Sequence, residues 1–168
     1  MPDIGPQSLL DVARYFLDTR DDLLEDEEEL SDPMTSDEVI EIIRREYISG
    51  TCQAFAVALH DHLGWPIVRV AQGMHMAVQR PDGHLVDFMG TFTVRDLNRR
   101  YGVTSGEPVL ISREDALDAF VLDFSEDPEA DPWSELNLAR WVRQHLDQWH
   151  PDSPLTKPRQ KRRQARQP

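Results

Sequence analysis

The feature that most constrains the fold of this chain is a short apolar segment from about Cys52 to His62. Residues 54–59 read Ala-Phe-Ala-Val-Ala-Leu, and Gly64 and Pro66 mark the end of the segment. A short helix that is apolar on nearly all sides is buried on nearly all sides. The sequence therefore predicts one central helix, against which the other elements of the chain pack.

Two runs typical of β-strands follow the central helix and are joined by a tight turn. The first run spans 67–71 and 74–79, with a glycine between its two parts, and the second spans 84–89. Residues 81–83, Pro-Asp-Gly, suit a three-residue hairpin loop in which a left-handed glycine closes a type I turn. The sequence thus predicts an antiparallel pair of strands.

The length of this loop decides which side chains share a face of the hairpin. A three-residue loop places Ala77 opposite Asp87, whereas a two-residue loop would turn Asp87 to the other face. Because side chains alternate along a strand, His75 and Asp87 then lie on one face as diagonal neighbours. We therefore expect the imidazole and the carboxylate to lie within reach of each other.

Helical spacing of apolar residues and N-capping side chains predict further helices on both sides of this core. The expected helices begin near Ser8, Thr35 or Ser36, Thr93, Ser112, and Pro132 or Trp133, and a brief strand is expected at 109–111. The predicted fold class is α+β. In it, the cysteine-bearing central helix packs on a small antiparallel sheet, with extra helices flanking this core.

Charge divides the chain into an acidic body and a basic tail. The net charge is −13, but from residue 152 onward six basic residues face one acid, which leaves residues 1–151 with a net charge of −18. We expect a single domain over 1–150, with a solvated acidic loop at about 18–34 and a disordered basic tail at 151–168. The acidic loop could bind a basic partner, and the tail could contact nucleic acid.

Composition excludes several classes of protein. One cysteine rules out an internal disulfide framework and a cysteine-rich zinc site. No apolar run is long enough to cross a bilayer and residues 1–16 lack the features of a secretory signal, so we expect a cytoplasmic protein without a membrane partner. His60 and His62 are two residues apart on a helix and face different directions, so we predict neither a metal nor a cofactor.

The only cysteine, Cys52, stands at the predicted N-terminus of the central helix. Free N–H groups and the helix dipole favour a thiolate there, and the same groups can receive the oxyanion that forms when a thiolate attacks a carbonyl. An imidazole can take the thiol proton and later return it to a leaving group, and a carboxylate can orient that imidazole. Cys52, His75 and Asp87 are therefore the candidate nucleophile, base and orienting residue.

This order of residues resembles that of transglutaminase-like and papain-like cysteine enzymes, in particular compact bacterial or phage members. The resemblance lies in the pieces GTCQAFAVAL, GMHMAV and DGHLVDFMG, from about Ser49 to Gly90. It implies a papain-like core and an acyl-transfer enzyme, with Cys52 as nucleophile, His75 as base and Asp87 as orienter. The substrate would be an amide, isopeptide or thioester of a protein or peptide, and the enzyme a hydrolase, deamidase or transglutaminase.

One feature departs from the papain pattern, which places a glutamine for the oxyanion hole shortly before the cysteine. Glu46 and Tyr47 occupy that neighbourhood in this chain. A second oxyanion donor beside the Cys52 N–H would have to come from elsewhere. The candidates are the side chains of Tyr47, Gln53 and Gln72.

Two other functions fit the same residues. A protein with this fold could have lost the activity and serve as a binding or adaptor protein. An acidic inhibitor that mimics nucleic acid would instead use the body of net charge −18, and it would need acids spaced along one face like phosphates. The sequence does not predict the oligomeric state.

Overall fold

The computed structural model describes residues 5–19, 34–119, 127 and 129–145. The predicted tail at 151–168 and most of the predicted acidic loop lie outside these residues. The described part is α+β, as predicted, and combines helices with a five-stranded antiparallel sheet. Within the described ranges, no helix is both long and apolar enough to cross a membrane.

In the described chain only helical elements precede the predicted central helix, and all five strands follow it. The helical elements are α1 (Leu9–Thr19), α2 (Ser36–Arg45), a π-helix (Glu46–Gly50), α3 (Cys52–Leu63), a 3₁₀ turn (Ala71–Gly73), α4 (Val94–Arg100), α5 (Arg113–Asp118) and α6 (Glu135–His145). The strands are β1 (Ile67–Val70), β2 (His75–Gln79), β3 (Leu85–Asp87), β4 (Gly90–Phe92) and β5 (Val109–Ile111). The central helix is α3, in which six consecutive residues are buried.

The predicted hairpin register is confirmed. Val78 lies opposite Val86 in the β2–β3 pair, and the Gly83 N–H donates to the Arg80 carbonyl at 2.9 Å, with Gly83 at φ +87°. The sheet has the order β4-β3-β2-β1-β5. Strand β4 was not predicted, because three residues that begin with a glycine do not show a strand pattern.

The two faces of the sheet pack against different helices. Met76 and Val78 of β2 belong to the main core, which also contains residues of α1, α2, α3 and α6. Ala77 packs instead in a second cluster with Leu97 of α4. Because side chains alternate along a strand, His75 shares the face of Ala77. The imidazole therefore lies at the start of β2, on the side of the sheet that α4 covers.

The helix starts follow the predicted capping side chains. Thr35 and Glu38 form a capping box at α2, in which the Glu38 N–H donates to Thr35 Oγ1 at 3.3 Å. Equivalent caps begin α1, α4 and α5, at Ser8, Thr93 and Ser112. Helix α6 begins at Glu135 and not at 132–133, because Ser134 Oγ accepts the Asn137 N–H at 3.1 Å and so acts as the cap.

Candidate active site

The π-helix Glu46–Gly50 leads into the start of α3, where Cys52 lies. Its first residue, Glu46, is only 1% exposed, and its carbonyl accepts the Thr51 N–H at 2.9 Å. A Cβ on Gly50 would lie 3.0 Å from the Glu46 carboxylate oxygens, so a larger residue here would have to push that carboxylate aside by a few tenths of an ångström. Short π-helices are often found at functional sites. Here the π-helix folds a buried carboxylate under the start of α3.

The N-terminus of α3 has no side-chain cap. Thr51 occupies the N-cap position, but its hydroxyl donates to Glu46 Oε1 at 2.9 Å and makes no capping hydrogen bond. Ser, Thr, Asp or Asn at such a position usually accepts a hydrogen bond from the first helical turn. The diversion of the Thr51 hydroxyl leaves the start of α3, where Cys52 lies, without that acceptor.

Cys52 is the first residue of α3 and is partly exposed. Its thiol donates to Oε1 of the next residue, Gln53, at 3.5 Å. The residue also packs against the main core, and its hydrogen bond is directed along the helix start.

His75 and Asp87 form the buried half of the site. His75 Nε2 donates to Asp87 Oδ2 at 2.9 Å, and the two side chains are 0% and 4% exposed. The other carboxylate oxygen, Oδ1, accepts the Met89 N–H at 2.8 Å. The carboxylate is thus held on both oxygens, and it fixes the orientation of the imidazole ring.

The environment makes this pair ionic. Burial by itself would lower the pKa of His75, but the hydrogen bond to Asp87, with further contributions from the Cys52 thiol, raises the pKa from 6.5 to about 9. Burial would raise the pKa of Asp87, yet the hydrogen bond from His75 and the charge of Arg100 hold it below its ordinary value. His75 is therefore a cation at neutral pH. The contribution from Cys52 indicates that the thiol lies beside the imidazole.

Two side chains that the sequence did not indicate complete the site, and both come from the end of α4. Arg100 Nη1 donates to Asp87 Oδ2 at 2.8 Å, and its guanidinium lies 4.1 Å from the centroid of the Phe92 ring. Asp87 thus accepts hydrogen bonds from two cations. No sequence pattern links Arg100 to a residue 13 positions earlier, because the contact depends on how α4 folds back over the sheet.

Tyr101 is the second unpredicted residue. Its hydroxyl lies 2.8 Å from His75 Nδ1 and donates to the Ile48 carbonyl of the π-helix at 3.1 Å. The two rings stack, with centroids 4.8 Å apart and planes at 26°. Tyr101 therefore connects the imidazole on the sheet to the segment that leads into Cys52.

The three predicted oxyanion donors lie in different surroundings. Tyr47 is buried among Phe16, Phe55 and Phe88, and its hydroxyl has no hydrogen-bond partner among the described residues. Gln53 already accepts the hydrogen bond of the Cys52 thiol.

Gln72, the third candidate, donates to the Ser105 carbonyl at 3.5 Å and is exposed. Gln72 and the preceding Ala71 have φ angles of +55° and +51°, an unusual conformation for residues other than glycine. The strained turn lies directly before His75 in the chain. None of these surroundings decides between Tyr47, Gln53 and Gln72 as the second donor.

Two histidines outside the site, His60 and His84, lie close to oxygen atoms of neighbouring residues. His60 Nδ1 lies 2.7 Å from the Trp65 carbonyl, and His84 Nδ1 lies 3.2 Å from Asp82 Oδ1. Within the described ranges, no group of three or more His, Cys, Asp or Glu side chains is arranged to hold a metal ion.

No family model, curated protein or solved structure matched the chain when it was compared with them. The resemblance to transglutaminase-like and papain-like enzymes therefore depends on the order and context of Cys52, His75 and Asp87. The site combines a partly exposed cysteine at a helix start without a side-chain cap and a buried imidazolium–carboxylate pair beside it.

Proposed function

We propose that this protein is a cysteine-dependent acyl-transfer enzyme with a papain-like core. Cys52 is the nucleophile, and the substrate is an amide, isopeptide or thioester of a protein or peptide. The observation that carries the proposal is the buried hydrogen bond of 2.9 Å between His75 and Asp87, beside the only cysteine of the chain. A buried ion pair of this kind is costly to maintain, and perturbed pKa values cluster at functional sites.

The raised pKa of His75 assigns it a more specific role than that of a base. Because His75 is already protonated at neutral pH, the proton of the Cys52 thiol passes to solvent, and His75 enters the reaction as an acid that stabilises the resulting thiolate. The sulfur attacks the carbonyl carbon and forms a C–S bond. The bond to the leaving group then breaks as His75 gives that group its proton. Asp87 retains its negative charge throughout and holds the ring in place.

The second half of the reaction uses the neutral imidazole that the first half leaves behind. Water or an amine approaches the thioester on Cys52, and His75 takes its proton as the new bond to the acyl carbon forms. Expulsion of the sulfur restores the thiolate and the imidazolium. Hydrolysis, deamidation and transfer to an amine share these steps. They differ only in the group that leaves the acyl carbon in the first half and in the nucleophile that attacks the thioester in the second.

The start of α3 supports the oxyanion. The Thr51 hydroxyl is bonded to Glu46, so it does not compete for the N–H groups at the start of the helix. The Cys52 N–H and the helix dipole then favour negative charge on the carbonyl oxygen. Tyr47, Gln53 and Gln72 remain the candidates for the second donor.

A binding or adaptor protein that keeps this site without turnover is the second candidate. It is favoured by two contacts: the Cys52 thiol is bonded to Gln53, and the Tyr101 hydroxyl lies on the nitrogen of His75 that a reacting thiol needs. A cytoplasmic setting and a basic partner for the acidic loop are compatible with either candidate. Residues outside the described ranges contribute twelve acids and one arginine to the acidic body, so most of its net charge, −11 of −18, lies there, and no observed contact favours mimicry of nucleic acid.

Alkylation of Cys52 with iodoacetamide separates these candidates. The chain has one cysteine, so an intact-mass measurement reports on Cys52 alone. In native wild-type protein we expect alkylation at about pH 6 to be roughly tenfold faster than in the urea-unfolded chain, because the imidazolium stabilises the thiolate. His75→Asn should abolish this advantage.

His145→Asn is the matched control, because His145 lies on the exposed end of α6 and bonds only to the Trp141 carbonyl at 2.8 Å among the described contacts. It should react like the wild type. A native rate no higher than that of the unfolded chain, or a rate in His75→Asn equal to that of the wild type, would overturn the proposed enzyme and favour the binding protein.

A further inference from the structure

Both nitrogens of the His75 ring already have hydrogen-bond partners. Nε2 donates to Asp87 Oδ2 at 2.9 Å, and Nδ1 lies 2.8 Å from the Tyr101 hydroxyl. Each ring nitrogen offers one hydrogen-bonding direction in the plane of the ring. With Nε2 held by the carboxylate, Nδ1 is the nitrogen left to exchange a proton with Cys52, and a tyrosine hydroxyl occupies it.

The hydroxyl of Tyr101 is fully satisfied in this position. A hydroxyl has one proton to donate and can also accept. When His75 is a cation, Nδ1–H donates to Tyr101 Oη, and Tyr101 donates its own proton to the Ile48 carbonyl at 3.1 Å. Stacking of the tyrosine on the imidazole, at 4.8 Å between centroids, adds to the contact. The arrangement is therefore a stable alternative to a bond between thiol and imidazole.

The Cys52 thiol also has a hydrogen-bond partner other than His75. Cys52 donates to Gln53 Oε1 at 3.5 Å, whereas the two nitrogens of the His75 ring lie 2.8 and 2.9 Å from Tyr101 and Asp87. A hydrogen bond with the Cys52 thiol is nevertheless among the causes that raise the pKa of His75, after the hydrogen bond to Asp87. The two reacting side chains are thus neighbours, and each also holds a hydrogen bond to another partner.

We propose that Tyr101 is a latch that holds the Cys52–His75 pair in a resting state. Withdrawal of its hydroxyl from His75 Nδ1 frees the proton on that nitrogen to face the Cys52 sulfur. This inference rests on the proposed function, in which Cys52 and His75 react together.

The position of Tyr101 in the fold suits such a movement. It is the C-terminal cap of the seven-residue helix α4, and Gly102, at φ +69°, follows it. Tyr101 is partly exposed, in contrast to His75 and Asp87, which are buried. Rotation of one side chain at a helix end breaks the two hydrogen bonds of its hydroxyl and leaves the His75–Asp87 bond intact. We infer that an acyl substrate entering beside the start of α3 displaces the hydroxyl.

A positioning role is the competing explanation, and it predicts the opposite effect. If Tyr101 served to hold the imidazole in its reactive orientation, removing the hydroxyl would slow the reaction of Cys52. If Tyr101 is a latch, removing the hydroxyl makes Cys52 react faster. The sign of one rate change therefore separates the two.

Tyr101→Phe keeps the stacked ring and removes only the hydroxyl. We expect iodoacetamide to alkylate Cys52 of this variant about fivefold faster than wild type at about pH 7, the effect of one hydrogen bond of ordinary net strength. Tyr15→Phe is the matched control, because Tyr15 lies in α1 and packs against Trp133, with ring centroids 5.3 Å apart, away from the site. It should react at the wild-type rate. An unchanged or slower rate in Tyr101→Phe overturns the latch.

The alkylation rate of His75→Asn shows whether a failure concerns the latch alone or the proposed function as well. If His75→Asn slows alkylation but Tyr101→Phe does not speed it, the latch fails and the proposed enzyme stands. If His75→Asn has no effect, the proposed function itself fails.

Should Tyr101→Phe not fold, the side-chain ¹⁵N resonances of His75 can be compared between the wild type and Cys52→Ala. A latched Nδ1 keeps its resonance when the sulfur is removed. A large shift of the Nδ1 resonance would mean that Cys52 already holds that nitrogen, and would overturn the latch.

Discussion

Two networks of ion pairs in this protein each centre on an aspartate that accepts from two cations. Asp61 of α3 binds Arg113 at 2.7 and 2.9 Å and Arg140 at 2.7 Å. Asp87 binds His75 at 2.9 Å and Arg100 at 2.8 Å. Their distances are alike, but Asp61 is 25% exposed and Asp87 is 4% exposed.

This difference in burial separates a structural contact from a candidate site. The Asp61 network joins α3, α5 and α6 with the help of Glu129, and all of its members are solvated enough for water and salt to weaken it. The Asp87 network holds a cationic imidazole in a place that excludes water. It gains little stability for its desolvation cost, which is expected of groups that are kept for chemistry.

The largest expected effect is the loss of the buried carboxylate. Asp87→Asn leaves two cationic side chains without their shared anion, and we expect it to lower the free energy of unfolding by about 3–5 kcal/mol. The change is measured by urea denaturation at about pH 7, followed by circular dichroism.

Asp61→Asn is the matched variant for Asp87→Asn. It makes the same replacement of a carboxylate by an amide, at an aspartate with the same number of cationic partners. We expect it to cost about 1 kcal/mol or less, as is usual for exposed ion pairs. Equal losses in the two variants would erase the distinction between the networks.

The pH dependence of stability gives the next largest effect. The pKa of folded His75 is about 9, above its unfolded value of 6.5, so its stabilisation is complete below pH 6.5 and is lost as the pH rises through about 9. The free energy of unfolding should therefore fall by about 3 kcal/mol over this window. Urea titrations at several pH values measure the fall, and His75→Asn should remove most of it. A wild-type stability that is flat between these pH values would mean that His75 gains no proton on folding.

Salt should produce the smallest effect and sharpen the comparison further. A double-mutant cycle between Asp61 and Arg113 should give a coupling of about 0.2–1 kcal/mol that nearly vanishes in about 1 M NaCl. The corresponding cycle between Asp87 and Arg100 should retain most of its coupling in salt, because the carboxylate is buried. If salt weakens both couplings equally, solvent screens Asp87 as it screens Asp61, and burial does not distinguish the two networks.

Local patterns predicted the part of the site that depends on neighbouring positions in the chain. The Pro-Asp-Gly turn at 81–83 sets the register of β2 and β3, and that register alone brings His75 and Asp87 onto one face. The apolar composition of α3 likewise predicted its central place, and its first residue, Cys52, followed from the helix boundary.

Contacts between distant segments could not be predicted from the sequence. Arg100 and Tyr101 meet Asp87 and His75 only because α4 covers one face of the sheet, and nothing in the spacing of residues 93–102 indicates which face that is. The diversion of Thr51 from its capping role was equally hidden, since it depends on the π-helix that buries Glu46.

The central claim is that Cys52 carries an acyl group and that His75 promotes its release, and the acetylation of Cys52 by p-nitrophenyl acetate tests this most directly. Intact mass and p-nitrophenolate release, followed together at about pH 7, report the acetyl-Cys52 species and its turnover. We expect wild-type protein to acquire one acetyl group and lose it to water, whereas His75→Asn acquires the group slowly and retains it. A wild-type acetyl thioester that forms and persists as it does in the unfolded chain would contradict the proposed enzyme.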